Sequence, residues 1–115
     1  MPPRSKERFY DRNYESYTVD DPGAEDLLVI NYDKDFILTE LVLDLANDGS
    51  VQVEVRDDGG GNATTVLNIS ETNYSDGDFE DPVAEAGSGQ EIAIVSAESL
   101  TGEVNVNARV HNRRA

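Results

Sequence analysis

The sequence predicts an all-β chain, folded as an antiparallel β-sandwich of jelly-roll or immunoglobulin-like type and preceded by an N-terminal arm. Three observations carry this. Apolar and polar residues alternate at period two in several runs of strand length, as in Val51, Val53 and Val55 against Gln52, Glu54 and Arg56. Turn chemistry separates the runs, with Asn47-Asp48-Gly49, Thr101-Gly102 and the stretch Asp57 to Asn62 falling between them. Helical periodicity is confined to the first 20 or so residues. A chain of 115 residues is enough for one domain that buries about two thirds of the surface its unfolded form exposes, so neither metal nor disulfide is needed to hold a core. The expected division is an interaction arm at residues 1–22 and a sandwich at residues 23–115.

In chain order, the arm comes first. Tyr10, Tyr14 and Tyr17 stand at i, i+4 and i+7, with Ser5 available as a cap after Pro2 and Pro3, which fits a short helix with its tyrosines on one face; an extended arm fits as well. Strands are expected at residues 26–32 and 36–45, both rich in Leu, Val and Ile. Residues 50–57 hold the clearest alternation, and Asn47-Asp48-Gly49 before them reads as a hairpin turn because its residues tolerate positive φ. Asp57-Asp58-Gly59-Gly60-Gly61-Asn62 reads as a flexible tip leading to a strand at residues 64–69. Residues 70–90 read as one long acidic loop, followed by a strand at 91–97 and a weaker hairpin at Thr101-Gly102. The last strand sets Val104, Val106, Ala108 and Val110 against Asn105, Asn107, Arg109 and His111, with His111 expected to point outward. The count is six strands, with room for a short seventh.

Charge is the other conspicuous feature. The chain has 24 Asp and Glu against 9 Lys and Arg, a net of −15, and its only lysines are Lys6 and Lys34. The distribution is uneven. Between residues 13 and 108, Lys34 and Arg56 face 22 acids, which leaves −20, whereas Arg4, Lys6, Arg8, Arg12 and then Arg109, Arg113, Arg114 make both ends basic. Such a body repels itself in dilute buffer, while at about 1 M salt the Debye length falls to about 3 Å and the repulsion is screened. The composition therefore suits brine.

Several function classes are disfavoured. The sequence contains no cysteine, which excludes disulfides, thiolate metal sites and a cysteine nucleophile. No apolar run approaches the roughly 20 residues of a spanning helix, so membrane insertion is not expected. Met1 to Tyr10 carry positive charge with no apolar run behind it, so no signal peptide is expected, and the product either stays in the cytoplasm or leaves inside a particle released by lysis. An acidic body also argues against nucleic acid. The only histidine, His111, has no nucleophile motif around it, which argues against an enzyme. Gly59-Gly60-Gly61 lacks the Lys-Ser or Lys-Thr of a phosphate loop, and the sequons at Asn62, Asn68 and Asn73 matter only in a glycosylating compartment. Asp76, Asp78 and Glu80 resemble one side of a calcium loop, against the plainer reading of a solvated acidic loop; no other cofactor is suggested.

What remains is the arm. Arg4, Arg8, Phe9, Tyr10, Arg12, Tyr14 and Tyr17 combine the residue types that most often anchor interfaces. Taken with the acidic, lysine-poor body, the small sandwich and the missing signal peptide, this resembles the virion proteins of haloarchaeal tailed viruses, in particular the small β-sandwich proteins of capsid decoration, turrets or tail attachments. The resemblance rests on composition and architecture. It implies a non-enzymatic structural protein, assembled in the host cytoplasm into the virion, with copies of itself or with the major capsid or other virion proteins as partners. The alternative is a host-surface or carbohydrate recognition module that uses loops 57–62 and 70–90. Either way, the thermal midpoint is expected to rise from about 0.1 M to about 2 M NaCl; a midpoint that stays level across that range, followed by circular dichroism, would remove the case for a brine-adapted chain.

Overall fold

Period-two alternation becomes strand pairing along almost the whole chain. A computed structural model describes residues 10–113, and among the described residues there are nine strands and no helix. They are β1 (Tyr10–Asp20), β2 (Asp26–Asn31), β3 (Phe36–Leu45), β4 (Val51–Asp57), β5 (Thr64–Ile69), β6 (Asn73–Asp76), β7 (Ala84–Ala86), β8 (Gln90–Ser96) and β9 (Glu103–Arg113). The acidic segment at 70–90 is thus not one loop. It contributes β6 and β7, both to the edge of β3, with four and three paired residues.

All pairings are antiparallel, in two sheets. The first has the order β1-β9-β3-β6, with β7 also on β3; the second has β2-β8-β4-β5. Among the long strands, only β4 and β5 are consecutive neighbours in one sheet; the short β6 and β7 both stay on β3, and every other connection changes sheets. First strand beside last, with alternate strands dealt to opposite sheets, is the double Greek key of a jelly roll and not the immunoglobulin arrangement.

This topology corrects two turns. Asn47-Asp48-Gly49 and Thr101-Gly102 do not close hairpins; they carry the chain from β3 to β4 and from β8 to β9, between sheets. The residues are small for a packing reason. A Cβ on Gly49 would lie 2.1 Å from Leu100 Cδ2, and Gly102, at φ +83°, exchanges bonds with Asp21: Asp21 N donates to Gly102 O at 3.0 Å and Gly102 N to Asp21 Oδ1 at 2.7 Å. The β4–β5 tip is a true hairpin, and it is held down. Asn31 Nδ2 donates to Asp58 Oδ1 at 2.6 Å and Gly59 N to Glu91 Oε1 at 3.1 Å.

The N-terminal tyrosines lie in a strand and not in a helix. β1 pairs with β9 from Tyr10↔Arg113 to Asp20↔Glu103 without a register shift, so Tyr10–Asp20 belongs to the sandwich and not to a separate arm. The i, i+4, i+7 spacing misleads because a strand sorts residues by parity: Tyr10 and Tyr14 take one face and Tyr17 the other. Arg4, Arg8 and Phe9 lie outside the described residues.

Between the sheets lies the core, with Phe36, Leu38, Leu41, Leu43, Val51, Val53, Ile92, Ile94, Val104, Val106 and Val110 fully buried. Tyr32 ties its margin together. Its ring stacks at a tilt on Phe36, 5.4 Å away, and its hydroxyl donates to Glu15 Oε2 at 2.8 Å, joining β1 to the segment after β2. Burial, then the Glu15 hydrogen bond and charge, push the Tyr32 phenol above its ordinary value of 10.0, and burial does the same for Tyr74. A phenol whose pKa is higher in the folded state stabilises that state fully below its unfolded pKa and loses the contribution as pH rises. Urea unfolding should therefore show a decline in stability that begins near pH 10, and Tyr32→Phe should flatten that decline. A second expectation concerns packing: Leu43→Ala should cost about 2–5 kcal/mol by the same measurement at neutral pH.

Candidate functional site

Strand parity decides which side chains the first sheet presents to solvent. From β1 the outward residues are Tyr10, Arg12, Tyr14, Ser16, Thr18 and Asp20, and from β9 they are Asn105, Asn107, Arg109, His111 and Arg113. Tyr14 is 69% exposed, with the Arg12 guanidinium 5.9 Å from its ring centroid, a cation–π distance. Arg109 is the register partner of Tyr14, and Arg113 that of Tyr10. A shallow depression of about 160 Å³ lies among Tyr14, Ser16, Glu40, Val42, Asn107 and Arg109. Three of the chain's nine basic residues, Arg12, Arg109 and Arg113, therefore gather on two adjacent strands of an otherwise acidic body. At the opposite end of the same face are Asp20, Glu103 and Asp44.

His111 is not an outward solvent-facing residue, although its parity is outward. A bulge at Thr39 and the loop after β6 cover it: Phe79 meets the His111 ring edge-on at 5.2 Å and Tyr10 at 5.6 Å, leaving His111 2% exposed. The Thr39 hydroxyl donates to Arg109 O at 2.9 Å, so its oxygen accepts from His111 Nδ1–H at 3.1 Å. A hydroxyl with its proton so engaged, and itself fully buried, is not poised to attack a substrate. Sequence reasoning missed this cap because nothing in the spacing of Phe79 marks a loop that folds back over a sheet.

The cap depends on Gly77. With φ at +102°, it sits where a Cβ would be 2.2 Å from Thr39 O. In the same segment, Asp76 Oδ1 accepts from Gly77 N at 2.8 Å and Asp78 Oδ1 from Asp81 N at 2.7 Å. Asp76 and Asp78 shape turns, and with Glu80 they do not converge: among the described residues, no group of three or more His, Asp or Glu is arranged to hold a metal ion.

The outward face of the second sheet holds the tightest ionic cluster. Arg56, 12% exposed, bonds Asp26 through Nη1 and Nη2 at 3.2 and 2.6 Å and Glu91 through Nε at 2.6 Å, with Glu54 3.8 Å away. The bonds to Asp26 and Glu91 outweigh desolvation and hold the guanidinium firmly protonated. Glu91 spans from Arg56 to the amide of Gly59, so one buried carboxylate fixes both the sheet and the hairpin tip. At one rim of the sandwich, a cleft of about 340 Å³ is lined by Tyr10, Asp35, Phe36, Ile37, Glu85 and Gln90 among others.

Comparison with known proteins places the fold. No family model matches the chain, and no curated protein matches its sequence. Among solved structures, it is similar to the nucleoplasmin-like N-terminal domain of Drosophila FKBP39, with a TM-score of 0.53 and 8% identity over 93% of this chain and 92% of that one. It is also similar to the SPBc2 prophage-derived protein YomS, with a TM-score of 0.52 and 11% identity over 89% of this chain and 96% of that one. At such identities the likeness shows a shared β-sandwich fold.

Two outcomes are expected. Arg56→Ala leaves Glu91 buried without its cation and should cost about 3 kcal/mol, the low end for a broken buried pair since Asp26 is half exposed; chemical denaturation measures it. Gly77→Ala should destabilise by about 1–3 kcal/mol through the strained φ and the clash with Thr39, with the loss of the Phe79–His111 contact visible as a shift of the His111 ring resonances.

Proposed function

We propose that this chain is a non-enzymatic structural protein of a virus particle, a capsid-decorating, cementing or turret component that assembles through the outward face of its first sheet. The observation that carries the reading is the concentration of Arg12, Tyr14, Arg109 and Arg113 on that face, with Tyr14 largely exposed, in a chain whose net charge is −15. Arginine and tyrosine on a rigid sheet suit a contact with an acidic partner, and a second copy of the chain is such a partner. The sandwich fold, shared with a prophage-derived protein, supports the reading at the level of architecture. Salt screening allows acidic bodies to crowd in a shell, and the acidic, lysine-poor composition is what supports a haloarchaeal setting.

A second reading, a carbohydrate recognition module, draws on the rim cleft, where Tyr10 offers a ring and Asp35, Glu85 and Gln90 offer polar groups within a volume near the small end of ligand sites. The test separates the two. Light scattering in about 2 M salt should give a defined oligomer for the full chain, weakened in a Tyr14→Ala/Arg109→Ala variant that keeps its circular dichroism. A monomer in both, together with glycan binding lost in Glu85→Ala, would replace the first reading with the second. Deleting residues 1–20 is not a suitable control, because it removes β1 from the sandwich.

A further inference from the structure

β1 is an edge strand of unusual length. Its eleven residues are bonded to β9 throughout, and among the described residues no strand lies on its other edge. Proline, lysine and a bulge, three of the devices that blunt such an edge, are missing from it; charge is present, with Arg12 and Asp20 outward and Asp11 and Glu15 inward, where Glu15 is engaged by the Tyr32 hydroxyl. Its outward side chains run from basic to acidic, from Arg12 to Asp20, and Asp20 is set directly opposite Glu103, a like-charge pair that destabilises the isolated sheet. An outward face with Arg12 near one end and Asp20 at the other is complementary to its own antiparallel copy.

We infer that two copies of the chain join edge to edge through β1, antiparallel about a two-fold axis at Ser16, so that the first sheet runs continuously across the dimer. The inference rests on the assembly reading above and adds to its sheet-face contact a second one, at the edge of the same sheet. The register follows from charge. A two-fold pairing that keeps outward residues on one face must be centred on a residue. Centred on Asp11, Arg12 or Glu15, the strand opposes a charge to itself; centred on Asn13, it opposes Asp11 to Glu15. Centres at Tyr14 and Tyr17 avoid repulsion but bring no opposite charges together within Tyr10–Asp20. The centre at Ser16 sets Arg12 against the partner's Asp20 twice over, beside the partner's Glu103, and sets Tyr14 against the partner's Thr18 and Glu15 against the partner's Tyr17; Asp11 would next meet the partner's Asp21, which has already turned out of the strand at φ 49° and accepts from Gly102 N. Main-chain bonds and covered tyrosine rings survive screening in brine, while the charges select the register.

The absence of cysteine makes the test direct. In about 2 M NaCl, full-length Ser16→Cys should form a disulfide dimer on mild oxidation. Tyr14→Cys and Thr18→Cys should each link poorly alone but form the mixed dimer when combined, because opposed residues lie within disulfide reach. Arg12→Asp should weaken the dimer about tenfold in sedimentation equilibrium, and Arg12→Asp/Asp20→Arg should restore it, both with unchanged circular dichroism. If the native chain assembles but the Ser16→Cys chain does not link and the charge swap rescues nothing, β1 pairing is overturned and assembly by another surface stands. If the native chain stays monomeric throughout, both are overturned.

Discussion

The pairing of β9 on both of its edges is the constraint on which the rest of this structure depends. Glu103–Arg113 is bonded to β1 along one side and to β3 along the other, so the last strand fixes the first and third in register. Its inward residues, Val104, Val106, Ala108 and Val110, lie against β3's Leu45, Leu43, Leu41 and Leu38 and supply the floor of the core. Its outward residues decide what solvent and partners meet. A one-residue slip of β9 would invert both faces at once, burying Asn105, Asn107 and Arg109 and exposing four apolar side chains. The bulge at Thr39 is the one place where β3 departs from this ladder, and the cap over His111 is built there.

The strand at 51–57 and the last strand were legible from strict alternation, because period two has few other solutions, and the rest of the expected strands from their β-branched and large apolar residues. Phe36–Leu45 and Thr64–Ile69 fall at the expected bounds, and the other expected strands shift by a residue or two. Strand order was not legible, since Val51 looks the same whichever neighbour it has. Two turns were misread for a related reason: glycine serves a tight hairpin and a close approach such as Gly49 to Leu100 equally well. Tyr10–Asp20 was misassigned because its inner face is polar, with Asn13 bonded to Asn112 and Glu15 to Tyr32, so alternation of hydropathy is faint where alternation of direction is strong. Of the site, Arg12 and Tyr14 stood out from residue type alone, whereas Arg109 joined them only through its register with β1. The Arg56 cluster carried a usable signal that went unread: an isolated arginine in a strand of an acidic body needs carboxylates close by.

Charge in this molecule is organised by sheet. The second sheet neutralises its only outward arginine internally, with Asp26, Glu54 and Glu91 around Arg56. The first sheet gathers Arg12, Arg109 and Arg113 toward one end of its face, with Glu40 beside Arg109, and sets Asp20, Asp44 and Glu103 at the other. Internal pairing stiffens a surface, while separated charge orients whatever approaches it. The two faces of one sandwich are therefore electrostatically unlike, although both belong to a strongly acidic chain.

One further consequence follows from the register of β1 on β9. Tyr10 and Arg113 are partners, so the first and last described residues lie side by side at one rim of the sheet. Tension applied between these two residues would open the β1–β9 ladder like a zipper, one rung at a time, because bonds that run across the strands are then loaded singly and not together. Force applied along the strands from opposite ends of the pair, at Tyr10 and at Glu103, would instead load all the rungs together in shear. The same ladder is therefore weak to a pull between Tyr10 and Arg113 and strong to a pull between Tyr10 and Glu103.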